Sequence, residues 1–91
     1  MIVTVYGRPD CHLCDEAMAG LTELRREFPG LELVEVDIDE DERLLRRYLE
    51  RIPVIEAGGG IIGELVFEPD PIRAALTELE SASPGDRGQV R

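Results

Sequence analysis

The sequence predicts one α/β sandwich with a four-stranded mixed sheet, its elements running β-α-β-α-β-β-α. Three observations predict it. Short apolar runs with strand character alternate with stretches of helical spacing, glycine or proline marks most of the changes, and a triple glycine joins two strand runs with no helix between them. At 91 residues, 43% hydrophobic and 33% charged, the chain has the length and composition of one ordinary soluble domain.

Each element has its own signal. Ile2 to Tyr6 is an apolar, β-branched run that suits a buried strand, and Gly7-Arg8-Pro9-Asp10 breaks it. From Cys14 the apolar positions Ala17, Met18, Leu21, Leu24 and Phe28 keep helical spacing until Pro29-Gly30. Leu31, Leu33, Val34, Val36 and Ile38 give a second, partly alternating strand. Asp39 with Glu42 has the spacing of an N-capping pair, opening a helix whose apolar face runs Leu44, Leu45, Tyr48, Leu49 and Ile52, with Pro53 as its stop. On the opposite face, Glu42 and Arg46 form an i,i+4 pair worth about 0.3 kcal/mol. Val54 to Ala57 and Ile61 to Glu64 read as a hairpin about Gly58-Gly59-Gly60. Asp70 as cap and Pro71 as first helical residue open a last helix that buries Ile72, Ala75, Leu76 and Leu79. The domain is expected to span residues 1–80, and the polar residues 81–91 to form a flexible tail.

Charge narrows the function. Twenty acidic residues against ten basic ones give a net charge of −10. With no basic stripe to displace counterions from phosphate, neither nucleic acid nor an anionic membrane is an expected partner. The opening apolar run is cut short by Arg8 and Pro9, and nothing approaches a membrane span, so the expected location is the cytoplasm. Thiols there are kept reduced, and two cysteines three apart are more often catalytic or metal-binding than a staple.

The pair is Cys11 and Cys14, in the run Cys11-His12-Leu13-Cys14. Cys11 falls where the chain leaves a strand and enters a helix. Unpaired N–H groups and the helix dipole should face its sulfur and lower its pKa from about 8.5 toward neutrality. Cys14, one turn on, is close enough to close a disulfide and so to resolve a mixed one. Asp10, Asp15 and Glu16 oppose the thiolate, so the lowering should be moderate. His12, the sole histidine, could assist when charged, but the simpler reading is an exposed first-turn residue. For a metal, Cys11, His12 and Cys14 offer at most three ligands where structural zinc wants four, so no metal site is assigned.

With these residues in place, the chain resembles glutaredoxins and the wider thioredoxin superfamily over about residues 1–80. The likeness is closest to small bacterial glutaredoxin-like proteins that open Tyr-Gly-Arg-Pro-x-Cys-x-x-Cys, here Tyr6 to Cys14. The resemblance implies a thioredoxin-like fold in which Pro53 is cis and packs against the active-site disulfide, while the backbone of Ile52 docks substrate as an added strand. It also implies glutathione contacts through Arg8, Ile52 and Gly63, although Arg8 reads equally as a surface charge. The chain departs from thioredoxins in having no Trp, in carrying His12-Leu13 where they have Gly-Pro, and in placing Val5 where they bury an acid. It departs from glutaredoxins after the hairpin: Ile62-Gly63-Glu64-Leu65 has one glycine and one acid where they have Gly-Gly and an acidic pair.

Two other patterns fail on context. Gly58 to Gly63 matches G-x-G-x-x-G, yet it leads into more strand residues where a dinucleotide loop would open a helix. Asp37, Asp39 and Asp41 begin like a calcium loop, but Glu42 stands where that loop needs glycine and Tyr48 where it needs glutamate. The expected function is therefore a monomeric thiol–disulfide oxidoreductase acting on protein disulfides or glutathione mixed disulfides. It would bind no resident cofactor, use glutathione as a co-substrate, and be recycled by a reductase or by glutathione. The alternatives are a non-enzymatic redox sensor or binding module of the same fold, and an iron–sulfur or zinc carrier.

Overall fold

A computed structural model describes residues 1–81. Its elements are β1 (Ile2–Gly7), α1 (His12–Leu24), β2 (Glu32–Asp37), a 3₁₀ turn (Ile38–Glu40), α2 (Glu42–Tyr48), β3 (Val54–Ala57), β4 (Gly60–Glu64) and α3 (Pro69–Ser81). The strands form one sheet in the order β2-β1-β3-β4. β1 runs parallel to β2, with Val5 opposite Glu35, and antiparallel to β3, with Val5 opposite Ile55. β3 and β4 are antiparallel. This is the predicted order and the predicted mixed sheet.

Because side chains alternate across a strand, β1 feeds two cores. Val3 and Val5 point to one face and pack with Ala17, Leu21 and Leu24 of α1, Ile55 and Ala57 of β3, and Ile72 and Leu76 of α3. Tyr6 points to the other face, where Ile38, Tyr48 and Val54 are buried with Leu44, Leu45 and Ile52 around them. Burying a side chain such as Leu21, with none of its surface exposed, removes about 2 kcal/mol of apolar hydration cost. The sheet is thus held between α1 with α3 and α2. The C-terminal end of the inner strand β1 is fixed from both sides.

Several local expectations are corrected. The second helix is capped by Asp41, whose carboxylate accepts from the N–H groups of Arg43 and Leu44 at 2.9 and 3.4 Å. Asp39 lies one turn earlier in the 3₁₀ segment, where the Asp37 carboxylate accepts from its N–H at 2.9 Å. The tandem Asp37, Asp39, Asp41 offers alternative caps, and burial of Ile38 draws the chain into a 3₁₀ turn first. α2 therefore ends at Tyr48, leaving Leu49 exposed and Ile52 in the following loop. α1 stops at Leu24, and Phe28 is buried from the turn beyond it. The hairpin turn is Gly58-Gly59 alone, with φ of 62° and 84°, a two-residue turn with both φ positive that suits the twist of paired strands. Gly60 already pairs with Ala57. α3 begins at Pro69, with Asp70 and Pro71 inside its first turn, where the missing proline N–H groups cost no helical bond. It continues through Ser81, the first residue of the expected tail, and residues 82–91 lie outside the described residues.

Candidate active site

The chain leaves β1 at Gly7, passes Arg8, Pro9 and Asp10, and enters α1 at Cys11. Asp10 has φ 62°, a left-handed conformation that Asp tolerates better than most residues and that turns the chain into the helix. Cys11 is the N-cap of α1 with extended backbone angles, and its Sγ accepts from the Cys14 N–H at 3.1 Å. A sulfur thus takes the place that a serine or aspartate oxygen usually holds at a helix start. Its carbonyl accepts from the Asp15 N–H at 3.1 Å.

Cys11 and Cys14 are joined as a disulfide, their Cα atoms 5.2 Å apart. The two sulfurs differ in access: Cys11 is half-buried, whereas Cys14 retains only 4% of its surface. Gly7 makes that burial possible. A Cβ on Gly7 would stand 2.9 Å from the Cys14 Sγ and 3.1 Å from its Cβ. Sequence reasoning took Gly7 as a strand breaker and missed this contact. The available signal was its place in Tyr6-Gly7-Arg8-Pro9.

The other site residues stand as follows. His12 is 86% exposed, with Nε2 3.0 Å from a Glu16 carboxylate oxygen. Arg8 donates from Nε to Asp39 at 2.8 Å, which ties the β1–α1 loop to the 3₁₀ turn. Pro53 is buried, and the Ile52–Pro53 bond is cis, as the resemblance implied. The Leu65 N–H donates to the carbonyls on either side of Ile52, those of Arg51 at 3.1 Å and Pro53 at 2.9 Å. Ile52's own N–H and C=O make no hydrogen bond among the described residues. Gly63 lies in β4 opposite Ile55, and the space its missing Cβ leaves is taken by Ile72. Val5 is buried in the apolar core at 1% exposure, so no carboxylate stands at that point. Among the described residues no three His, Cys, Asp or Glu side chains are grouped to hold a metal ion, and no helix is long and apolar enough to cross a membrane.

A cleft of about 290 Å³ opens beside Cys14, walled by the Gly7–Asp10 loop, Asp15, and residues 35–37 of β2. Four carboxylates (Asp10, Asp15, Glu35 and Asp37) share it with one cation, Arg8.

A four-stranded mixed sheet between helices, with a C-x-x-C pair at the start of α1, defines a redox domain of thioredoxin-like fold. The family model of the glutaredoxin-like domain (DUF836) matches residues 2–77, and the chain belongs to that family. Among solved structures it is similar to protein XcR50 from X. campestris (34% identity, 84% of this chain and 96% of that one, TM-score 0.71). It is also similar to protein Ne2328 from Nitrosomonas europaea (36% identity, 80% and 87%, TM-score 0.69). The glutaredoxin-like protein NrdH-redoxin from Escherichia coli, whose activity profile is described as thioredoxin-like, aligns at 26% identity over 81% of this chain and 93% of its own, with TM-score 0.56. A comparison with curated proteins finds no match.

Proposed function

We propose that the protein is a dithiol oxidoreductase that reduces protein disulfides or glutathione mixed disulfides, with Cys11 as nucleophile and Cys14 as resolving thiol. The observation that carries this reading is the asymmetry of the pair: Cys11 reaches solvent at the helix start with an N–H donated to its sulfur, while Cys14 is buried behind it. A donated N–H favours thiolate over thiol, and the thiolate is the attacking species.

In the reduced protein, the Cys11 thiolate attacks one sulfur of the substrate disulfide. A mixed disulfide forms as the substrate S–S bond breaks, and the departing sulfur leaves with the electron pair and takes up a proton. Cys14, giving up its proton, then attacks the Cys11 sulfur. This closes the Cys11–Cys14 disulfide seen here and releases the second substrate sulfur as a thiol. Two electrons pass to the substrate, and a dithiol reductase or glutathione returns them. The backbone groups of Ile52, beside Pro53 and without a hydrogen-bond partner among the described residues, suit an extended substrate segment bound as an added strand. Arg8, Ile52 and Gly63 are the positions proposed for glutathione. Arg8 holds Asp39 through Nε alone, which leaves its terminal N–H groups to donate to a carboxylate, and Gly63 could offer only backbone, its Cα side being packed on Ile72.

The test is substitution of each cysteine. Cys11→Ser should abolish turnover of both substrate types while the protein stays folded. Cys14→Ser should accumulate a mixed disulfide on Cys11, visible by mass spectrometry, and should retain only glutathione-dependent turnover. Alkylation rate against pH should place the Cys11 thiol below the free value of about 8.5. Full activity in C11S, or a Cys11 thiol at or above the free value, overturns the assignment.

A further inference from the structure

We infer that the cleft beside Ile52 takes an apolar side chain flanking the substrate cysteine and turns away the charged ends of glutathione, so that protein disulfides are the preferred substrate class. This rests on the reading of Cys11 and Cys14 as an exchanging dithiol with its substrate docked on Ile52, and it narrows that substrate.

Leu65 is held at φ 69°, a conformation that leucine rarely adopts. The Val66 N–H donates back to the Glu64 carbonyl at 2.9 Å and closes a tight three-residue turn about Leu65. The Leu65 N–H donates to the carbonyls of Arg51 and Pro53, on either side of Ile52, so the turn is pinned against the docking edge. A costly backbone conformation persists only where its surroundings enforce it, and such residues gather at binding sites. Here it leaves the side chains of Leu65 and Val66 exposed beside Ile52. They line a cleft of about 340 Å³ together with the apolar side chains of Ile62, Pro71 and Ile72.

Glutathione fits this cleft badly whichever way it runs. It carries a carboxylate at each end, one residue from its cysteine. With the cysteine docked on Ile52, one of the two falls on the Leu65 side; Arg8 offers donors to the other at most. At the cleft the N–H groups of Leu65, Val66 and Ile72 are already donated to carbonyls, and Pro71 has none. Both charged residues that line it are glutamates: Glu64, matched by Arg51 at 2.7 Å, and Glu68. A carboxylate placed there gives up water and gains no donor in return. The ammonium of the γ-glutamyl end can meet Glu68, yet the carboxylate beside it stays unpaired. A leucine or valine side chain, by contrast, gains by covering Leu65 and Val66. A protein substrate supplies such a neighbour, with neutral peptide groups on both sides of its cysteine. Because desolvation at contact does the selecting, high salt leaves the preference in place.

The full chain, reduced beforehand and freed of reductant, is mixed in single turnover with three symmetrical disulfides. One is glutathione disulfide; the others are blocked tripeptides whose cysteine has leucine on both sides or serine on both sides. Oxidation of Cys11–Cys14 is read by alkylation quench and mass, and each rate is divided by that of dithiothreitol with the same disulfide. At an ionic strength of about 0.5 M the leucine peptide should exceed the serine peptide by about fivefold and glutathione disulfide by about tenfold or more. The Leu65→Asn, Val66→Ser double variant, whose asparagine tolerates the left-handed backbone, should bring the leucine-to-serine ratio toward one. Equal normalised rates for the two peptides, or glutathione disulfide matching the leucine peptide, overturn the selection and leave the exchange reading standing. So does a leucine-to-serine ratio that the double variant leaves unaltered. If none of the three disulfides oxidises the pair, the exchange reading fails, and this inference with it.

Discussion

The Cys14 sulfur fills the space in front of the Gly7 Cα, so closely that a β-carbon there would be 2.9 Å from it. Gly7 is paired with Asp37 in the sheet, which holds its backbone in place. A methyl group at position 7 must therefore push the sulfur and cannot move away from it. In the dithiol form Cys14 can rotate to relieve the contact; tied to Cys11, it cannot. Gly7→Ala should thus destabilise the disulfide form more than the dithiol form. The Cys11–Cys14 couple should become more oxidising, by about 30 mV for each tenfold change in its equilibrium constant. Equilibration against a glutathione or dithiothreitol buffer measures it. An unchanged potential with an unchanged unfolding midpoint would show that the sulfur is not confined by this contact.

On the opposite face of β1, the Tyr6 hydroxyl donates to the Glu56 carboxylate at 2.8 Å, and its ring lies 5.0 Å from that of Tyr48. The bond to Glu56, then burial, then the Glu56 charge push the Tyr6 pKa up to about 12 from 10.0. The folded value lies above the unfolded one, so the neutral phenol favours folding. Its contribution is complete below pH 10 and is lost as pH rises through about 12. Tyr6→Phe keeps the ring contact and loses the bond. At neutral pH it should cost about 1 kcal/mol by urea denaturation, the bond being only partly buried. It should also remove from the tyrosinate absorbance titration a step centred near 12. If the step lost on substitution is instead centred near the ordinary value of 10.0, the pairing is refuted.

How far the sequence could be read follows from how local each signal is. The element order was legible because period 2 and period 3.6 are written directly in runs such as Ile2–Tyr6 and Ala17–Leu24. The disulfide pair was legible because Cys11 precedes the helical spacing and Cys14 begins it. Boundaries were less so where equivalent residues compete. Asp37, Asp39 and Asp41 can each cap, and only burial of Ile38 decides in favour of Asp41 for α2. Contacts between distant positions were not legible. That Arg8 pairs with Asp39, that Tyr6 reaches Glu56, and that Gly63 makes room for Ile72 depend on register between β1, β2, β3 and β4, which no single segment encodes. The cis bond before Pro53 came from resemblance alone.

Acid stability should report two exposed ion pairs. Arg73 makes a two-pronged bond to Glu27, at 2.8 and 3.1 Å, joining α3 to the turn after α1. Arg51 does the same with Glu64, at 3.1 and 2.7 Å, joining the loop before β3 to β4. In each case the guanidinium's hydrogen bonds hold the glutamate below its ordinary value of 4.5. The folded pKa being depressed, the stabilisation is present above 4.5 and is lost as pH falls through the folded values. Arg73→Met or Arg51→Met should therefore narrow the difference in urea midpoint between pH 7 and pH 3, and added salt should shrink the effect because both pairs are exposed. An acid slope identical in parent and variants would show that neither pair matters in solution.

Gly20 sets two opposed effects against each other. It lies inside α1, where replacing glycine by alanine ordinarily stabilises a helix by about 1 kcal/mol. Here the ring of Phe67, from the loop between β4 and α3, rests directly on the glycine, and a β-carbon would run into it. Moving a packed aromatic side chain costs about 1–3 kcal/mol, which outweighs the helical gain. Gly20→Ala should thus destabilise the protein by roughly 1 kcal/mol, the difference of the two. The same change made in a Phe67→Ala background meets no ring and should be neutral or stabilising by up to about 1 kcal/mol. The double-mutant cycle isolates the contact, because the propensity gain is common to both backgrounds and cancels. Stabilisation of equal size in both backgrounds would place Phe67 away from α1 and remove the glycine's packing role.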